Sequence, residues 1–293
     1  MTRVLMAAAL AALMFAAGHA ATPAAVTSDP PIDRANPASL NYVQIPSHGV
    51  LLNGVLFGAA GAGPHPTLLL LHGFPGNEQN LDLAQAVRRA GFNVLTLHYR
   101  GAWGSPGSFS FAHAIEDADA AMAFLRDPNT VRQFHIDTRR IFVAGHSMGG
   151  FMALSAMAHD GAVAGLVMIS GWNIGADGAK LRDPKYRKAF FESELRDDVI
   201  PLAGTSADAL MDEAQANARR WLFANYAGAA GKRPVLLIGA DDGNMPDMHA
   251  LGAILRRTAP VTEIHMATDH SYSDHRIALE SAVVAWLEQQ IGR

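Results

Sequence analysis

The chain has 293 residues, 49% of them hydrophobic and 17% charged, with a formal net charge of -4 and no cysteine. That length and apolar content can bury the core of one large α/β domain or two small ones. Mild acidity without a long basic run gives no footing to nucleic acid or an anionic membrane surface as a partner, and the absence of cysteine removes any disulfide framework or lipoprotein attachment.

The N-terminus carries one positive charge, Arg3, ahead of the apolar run Val4 to Ala17. That run is too short to span a bilayer comfortably, and Gly18-His19-Ala20 supplies the small residues a signal peptidase reads. Residues 1–20 are therefore expected to be a signal peptide, cleaved after Ala20 or Ala21, with no stable membrane anchor once it is removed. The mature protein is expected to be periplasmic or secreted from a bacterial cell. Residues 21–40, rich in Ala, Pro, Ser, Thr and Asp, read as a disordered arm, and residues 41–293 as one domain.

Tyr42 to Pro46 and Leu51 to Phe57, parted by Ser47-His48-Gly49, read as an antiparallel hairpin. Thr67 to Leu71 is a continuous apolar run, the pattern of a strand buried on both faces. Helix follows over Asn80 to Ala90, strand over Phe92 to Tyr99, helix over about 113–126, strand over 140–144, helix over 149–158 and strand over Leu166 to Ile169. After a long interval come strand Val235 to Ile238, helix about 247–257, strand Val261 to Met266 and helix about 273–291. This alternation predicts an α/β fold: a mostly parallel central sheet of about eight strands with helices on both faces. The interval from 171 to 233, helical in pattern over Asp208 to Tyr226, is expected to be a cap inserted over the carboxyl ends of the strands.

The chemistry gathers at Gly145-His146-Ser147-Met148-Gly149, set between a strand and a helix. This is the setting of a nucleophile elbow, where Ser147 takes a strained backbone and the flanking glycines let the elements pass. A serine hydroxyl needs a base, and reactive groups of a parallel sheet collect at the strands' carboxyl ends. His270, in the turn after the last predicted strand, is the favoured base; His275 would fall in the first turn of the following helix and point away. The acid that holds the imidazole comes from Asp241-Asp242, with Asp242 favoured because it lies deeper in its loop. The oxyanion donors are expected to be the amides of Met148 and of Phe74, since Pro75 has no N–H. Trp103, Phe109 and Trp221 are candidate substrate-binding aromatics, with loop or flank packing as the alternative. No spacing of His and carboxylates points to a metal site, and no cofactor is expected.

His72-Gly73-Phe74-Pro75-Gly76, Tyr99-Arg100-Gly101, Gly104-Ser105-Pro106-Gly107, Gly145-His146-Ser147-Met148-Gly149-Gly150, Gly239 with Asp242 and Pro246, and Asp269-His270-Ser271 together resemble the α/β-hydrolase superfamily. The similarity runs through nearly all of the chain from about residue 42. It is strongest to small esterases and to prolyl-oligopeptidase-like and dienelactone-hydrolase-like serine hydrolases. The resemblance implies Asp242 as acid, His270 as base and a specificity-shaping cap at 171–233. The chain departs from epoxide hydrolases and haloalkane dehalogenases, which use an aspartate nucleophile where Ser147 stands. It departs from dienelactone hydrolases proper, which use a cysteine, and from full-length prolyl oligopeptidases, whose N-terminal propeller an arm of about twenty residues is not expected to supply.

The expected activity is cleavage of a carboxylic ester by a Ser-His-Asp triad, acting on a small-molecule ester. The first alternative is a serine peptidase acting on short peptides, for which cap carboxylates such as Glu192, Glu194, Asp197 and Asp198 could hold an amine. The second is an inactive binding protein on a hydrolase fold, against which the intact Ser147, Asp242 and His270 argue.

Overall fold

The computed structural model describes residues 21–292, so the expected signal peptide lies outside the described residues. The first elements are a helical turn α1 (Ala24–Thr27), the hairpin β1 (Ser39–Ser47) and β2 (Val50–Gly58), then β3 (His65–Leu71), α2 (Leu81–Arg89) and β4 (Asn93–Leu97). Next come α3 (Phe111–Arg126), α4 (Pro128–Phe134), β5 (Ile136–His146), α5 (Met148–His159) and β6 (Leu166–Ile169). The insertion contributes α6 (Ile174–Lys180), α7 (Pro184–Phe190), α8 (Ala207–Ala216) and α9 (Phe223–Ala227). The chain closes with β7 (Val235–Gly239), α10 (Met245–Leu255), β8 (Val261–His265) and α11 (Arg276–Gln290).

The eight strands form one sheet in the order β1-β2-β4-β3-β5-β6-β7-β8. β1, β2 and β4 pair antiparallel, and every pair from β4 to β8 is parallel. Period-two side-chain alternation splits the core between the two faces. On β3, Leu69 and Leu71 join a cluster with Met148, Phe151 and Phe109, whereas Leu68 and Leu70 pack with Leu83, Val87 and Val284. Burying each such leucine contributes roughly 1.5–3 kcal/mol. Helix α5 is apolar on nearly every side because it is enclosed by the sheet and the insertion; Met148 through Met157 are all buried.

The sequence pattern and the structure differ in three informative places. β5 begins at Ile136, ahead of the apolar run, because the exposed Arg139 and Arg140 interrupt the hydrophobic signal while the backbone still pairs with β3. Helix α4 escapes apolar periodicity; Asp127 caps it by accepting from the amides of Asn129 and Thr130, with Pro128 opening the first turn. The arm is docked at α1, where Ala25 is buried and its carbonyl accepts from Arg89 Nε at 2.5 Å. Small apolar side chains let that turn lie against α2 and α11, which composition alone did not reveal.

The insertion between β6 and β7 is tied to the body. Glu213 of α8 accepts from the amides of Phe111 and Ala112 at 2.8 and 3.0 Å, filling the open N-terminus of α3.

Candidate active site

Ser147 sits between β5 and α5 at φ 56°, ψ -121°, a conformation that costs a non-glycine residue roughly 1–3 kcal/mol. The surroundings compel it. A Cβ on Gly145 would lie 1.9 Å from the Gly149 carbonyl oxygen, and one on Gly149 would lie 2.1 Å from that of Leu71. Strand and helix can therefore pass only with glycine at both places. The Ser147 amide donates to the Ile169 carbonyl at 2.9 Å, and the Ser147 carbonyl accepts from the amides of Gly150 and Trp172 at 2.9 and 3.0 Å.

The loop after β3 runs directly beside this elbow: a Cβ on Gly73 would stand 2.9 Å from Ser147 Cβ. His72 Nδ1–H donates to the Gly73 carbonyl at 2.7 Å, and the Phe74–Pro75 peptide is cis. Among the described residues no group accepts from the Phe74 amide, and the Met148 amide is the first of α5, before intrahelical bonding begins. Both are candidate donors to a negative oxygen beside Ser147.

At the carboxyl end of β7, Asp242 Oδ2 accepts from His270 Nδ1–H at 2.7 Å. Burial alone would push the Asp242 carboxyl up, yet hydrogen bonds from His270, Ser170 and the Asn244 amide outweigh it and hold the group at about 2. The Asp242 side chain is 4% exposed and that of His270 is 41% exposed, so the acid is enclosed while the imidazole opens to the cavity. With Nδ1 committed to Asp242, Nε2 is left to accept a proton. Asp241, also on the cavity wall, instead accepts from His265 Nε2 at 2.8 Å. His275 pairs with Asp274 at 2.8 Å and lines a separate, open depression with Thr22 and Ile264.

Ser147, His270, Asp242 and Phe74 all line one cavity of about 680 Å³, roofed by the insertion. That volume suits a drug-sized organic molecule. The lining carries seven carboxylates, Asp177, Glu194, Asp198, Asp241, Asp242, Asp247 and Asp269, against the single ammonium of Lys180. Burial and the neighbouring Glu194 and Asp197 carboxylates push the Asp198 carboxyl up. Asp177 gathers Trp172 Nε1–H, Lys180 Nζ and the Tyr186 hydroxyl, each donating at 2.8 Å. It thereby orders an aromatic wall in which Phe190 faces Trp172 and Tyr186, with ring centroids 6.1 Å apart in each pair.

The three aromatics expected to bind substrate lie elsewhere. Phe109 is buried behind Phe74, with ring centroids 5.8 Å apart, and supports that loop from within the core. Trp221 is buried edge-on to Phe111. Trp103 is 42% exposed, and its Nε1–H donates to the Pro75 carbonyl at 2.8 Å, bracing the loop from outside. The cavity aromatics are instead Trp172, Tyr186 and Phe190, because helix rotation within the insertion, which no strand register fixes, decides which of its rings face inward. The position of Trp172, just past the carboxyl end of β6, was the one available signal.

Residues 68–284 match the family described as the alpha/beta hydrolase family. No curated protein matches the chain significantly. Among solved structures, the fold is similar to that of esterase Est22, with 13% identity, a TM-score of 0.65, and coverage of 86% of this chain and 81% of that one. It is also similar to Est1E from Butyrivibrio proteoclasticus, solved with ferulic acid bound, at 19% identity, TM-score 0.65, and coverage of 86% and 100%. A third, the acylaminoacyl peptidase of Pyrococcus horikoshii, aligns at 17% identity and TM-score 0.61; the match covers 86% of this chain but 42% of that larger one. At these identities the likeness is one of fold.

Proposed function

We propose that this chain, which belongs to the alpha/beta hydrolase family, cleaves carboxylic esters through an acyl-enzyme formed on Ser147. The observation that carries the reading is a strained serine opening into the same cavity as an imidazole that is hydrogen-bonded at 2.7 Å to an enclosed carboxylate.

In this reading Ser147 Oγ attacks the ester carbonyl while His270 Nε2 takes its proton. Asp242 stabilises the resulting imidazolium. The amides of Phe74 and Met148 hold the oxyanion, each donor contributing on the order of 10²–10³ in rate. The tetrahedral intermediate collapses, the alcohol leaves with the proton from His270, and the acyl group remains on Ser147. Water, deprotonated by His270, then attacks the acyl carbonyl and releases the acid. The proton that water gives to His270 returns to Ser147 Oγ as the acyl–oxygen bond breaks, so the three side chains end the cycle as they began it. The test is hydrolysis of a panel of aryl esters by wild type and Ser147→Ala; equal rates would remove the reading.

The acidic lining favours a second reading, a serine peptidase that holds the amine of a short peptide. Matched aminoacyl arylamides and aminoacyl esters separate the two, because amide cleavage also requires protonation of the leaving nitrogen. We further propose that residues 1–20 direct export, in which case protein recovered from the periplasm of a bacterial host begins at Ala21 or Thr22.

A further inference from the structure

His146 precedes the nucleophile and lies against the base. It is 3% exposed, its Nε2–H donates to the main-chain carbonyl of His270 at 2.8 Å, and the two rings lie 4.6 Å apart at a tilt of 42°. Its other nitrogen, Nδ1, is buried without a partner among the described residues. That atom faces the loop after β3, 3.5 Å from where a Cβ on Gly73 would stand. The ring thus fills the space between the loop that offers the Phe74 amide and the turn that carries the base.

The contact matters because the base stands on an exposed turn. Asp242 fixes the rotation of the His270 ring through Nδ1, yet it does not fix the backbone from which that ring hangs. The neighbouring anchors act at other residues: Thr268 through the Asp241 amide, Asp269 through the Tyr272 amide and Ser271 through Arg276. At residue 270 itself, the bond to the backbone comes from His146, at the end of the central strand β5.

We propose that His146 is a positioning residue, whose Nε2–H clamps the His270 carbonyl and so sets the distance between the imidazole and Ser147. This rests on the esterase reading of the site. Burial, reinforced by the nearby His270, keeps the His146 ring neutral at working pH. A neutral ring that donates from Nε2 must be the Nε2–H tautomer, and the bare Nδ1 is the cost of that choice. It also prevents His146 from competing for the serine proton, since its one acceptor nitrogen faces the β3 loop.

The test uses the full-length mature protein in three forms: wild type, His146→Phe, which keeps a ring without a donor, and His146→Gln, which keeps an N–H at similar reach. With an aryl ester, His146→Phe is expected to lower kcat on the order of 10²-fold, the scale of a misplaced catalytic group, with KM little changed. His146→Gln is expected to recover most of that loss. If His146→Phe melts below the assay temperature, His146→Met is the second donor-free variant. A donor-free variant that folds and turns over like wild type overturns the proposal. So does His146→Gln if it folds like wild type yet is as slow as the donor-free variants. A long-range ¹H–¹⁵N spectrum of the wild type reads the tautomer without substrate: Nε2–H on His146 is expected, and Nδ1–H sinks the clamp. Equal ester rates for wild type and Ser147→Ala would instead remove the esterase reading and leave the spectrum to decide on the clamp.

Discussion

The Tyr272 hydroxyl stands 2.9 Å from Ser170 Oγ and donates to the Ile238 carbonyl at 3.0 Å, joining the ends of β6 and β7 near His270. Ser170 in turn supports the Asp242 carboxylate. Tyr272→Phe leaves the ring and its packing in place but strands the Ile238 carbonyl and removes the hydroxyl beside Ser170. The expected cost is about 1–2 kcal/mol of stability, with kcat reduced several-fold while KM holds. Urea unfolding and steady-state kinetics on the same preparation check it; an unchanged midpoint together with unchanged kcat contradicts the network.

The proposed mechanism gives the two adjacent aspartates different parts. Asp242→Asn cannot stabilise the imidazolium and favours the wrong tautomer, so kcat is expected to drop on the order of 10³- to 10⁴-fold. Asp241→Asn breaks a half-exposed pair with His265 and should stay within about twofold, as surface pairs contribute little. Ester turnover by both variants decides the matter, and comparable losses in the two would disprove the assignment of the acid.

Hydropathy and turn chemistry went far toward this site and then stopped. The parallel strands, the elbow at Ser147 and the polar turn holding His270 follow from local patterns, because buried strands and tight turns restrict residue type over a few positions. The preference for Asp242 over Asp241 rested on loop depth. The direction each carboxylate faces depends on how that loop meets a turn 28 residues away. Trp103, Phe109 and Trp221 show the same limit from the other side: aromatic residues near a pocket pack its supports as readily as its walls.

Acid sensitivity follows from two enclosed imidazoles. Burial, against a hydrogen bond to Gly73, brings His72 down to about 4; burial and the neighbouring His270 bring His146 to about 3. Both titrate near 6.5 when unfolded. The unfolded chain therefore binds more protons below pH 6.5. The corresponding stability is fully present above that value and is lost as pH falls toward 4 and then 3. The expected slope is about 1.4 kcal/mol per pH unit for each imidazole. Urea titrations between pH 7 and 4.5 should show uptake of nearly two protons on unfolding, and one fewer in His146→Gln. A flat profile would show that these rings are not held neutral.

The charge of the cavity sets a preference among substrates. With seven carboxylates against Lys180, an ester bearing a quaternary ammonium is expected to exceed its carboxylate-bearing isostere in kcat/KM by on the order of tenfold at low ionic strength. The ratio should shrink as salt is added and fall in the double variant Glu194→Gln, Asp198→Asn. A preference for the anionic ester would show that the insertion's acidic face does not meet the substrate.

What the residue order determined alone was the α/β alternation, the glycine-bounded serine and the short set of acids and bases, since each is imposed by contacts within one element or one turn. Tertiary structure alone decided that His146 meets the backbone of a residue 124 positions away, that Asp242 is the aspartate facing His270, and that Trp172, Tyr186 and Phe190 line the cavity. Those outcomes depend on the rotation of helices and the paths of loops relative to one another. Packing of the whole domain sets them, and no local pattern encodes them.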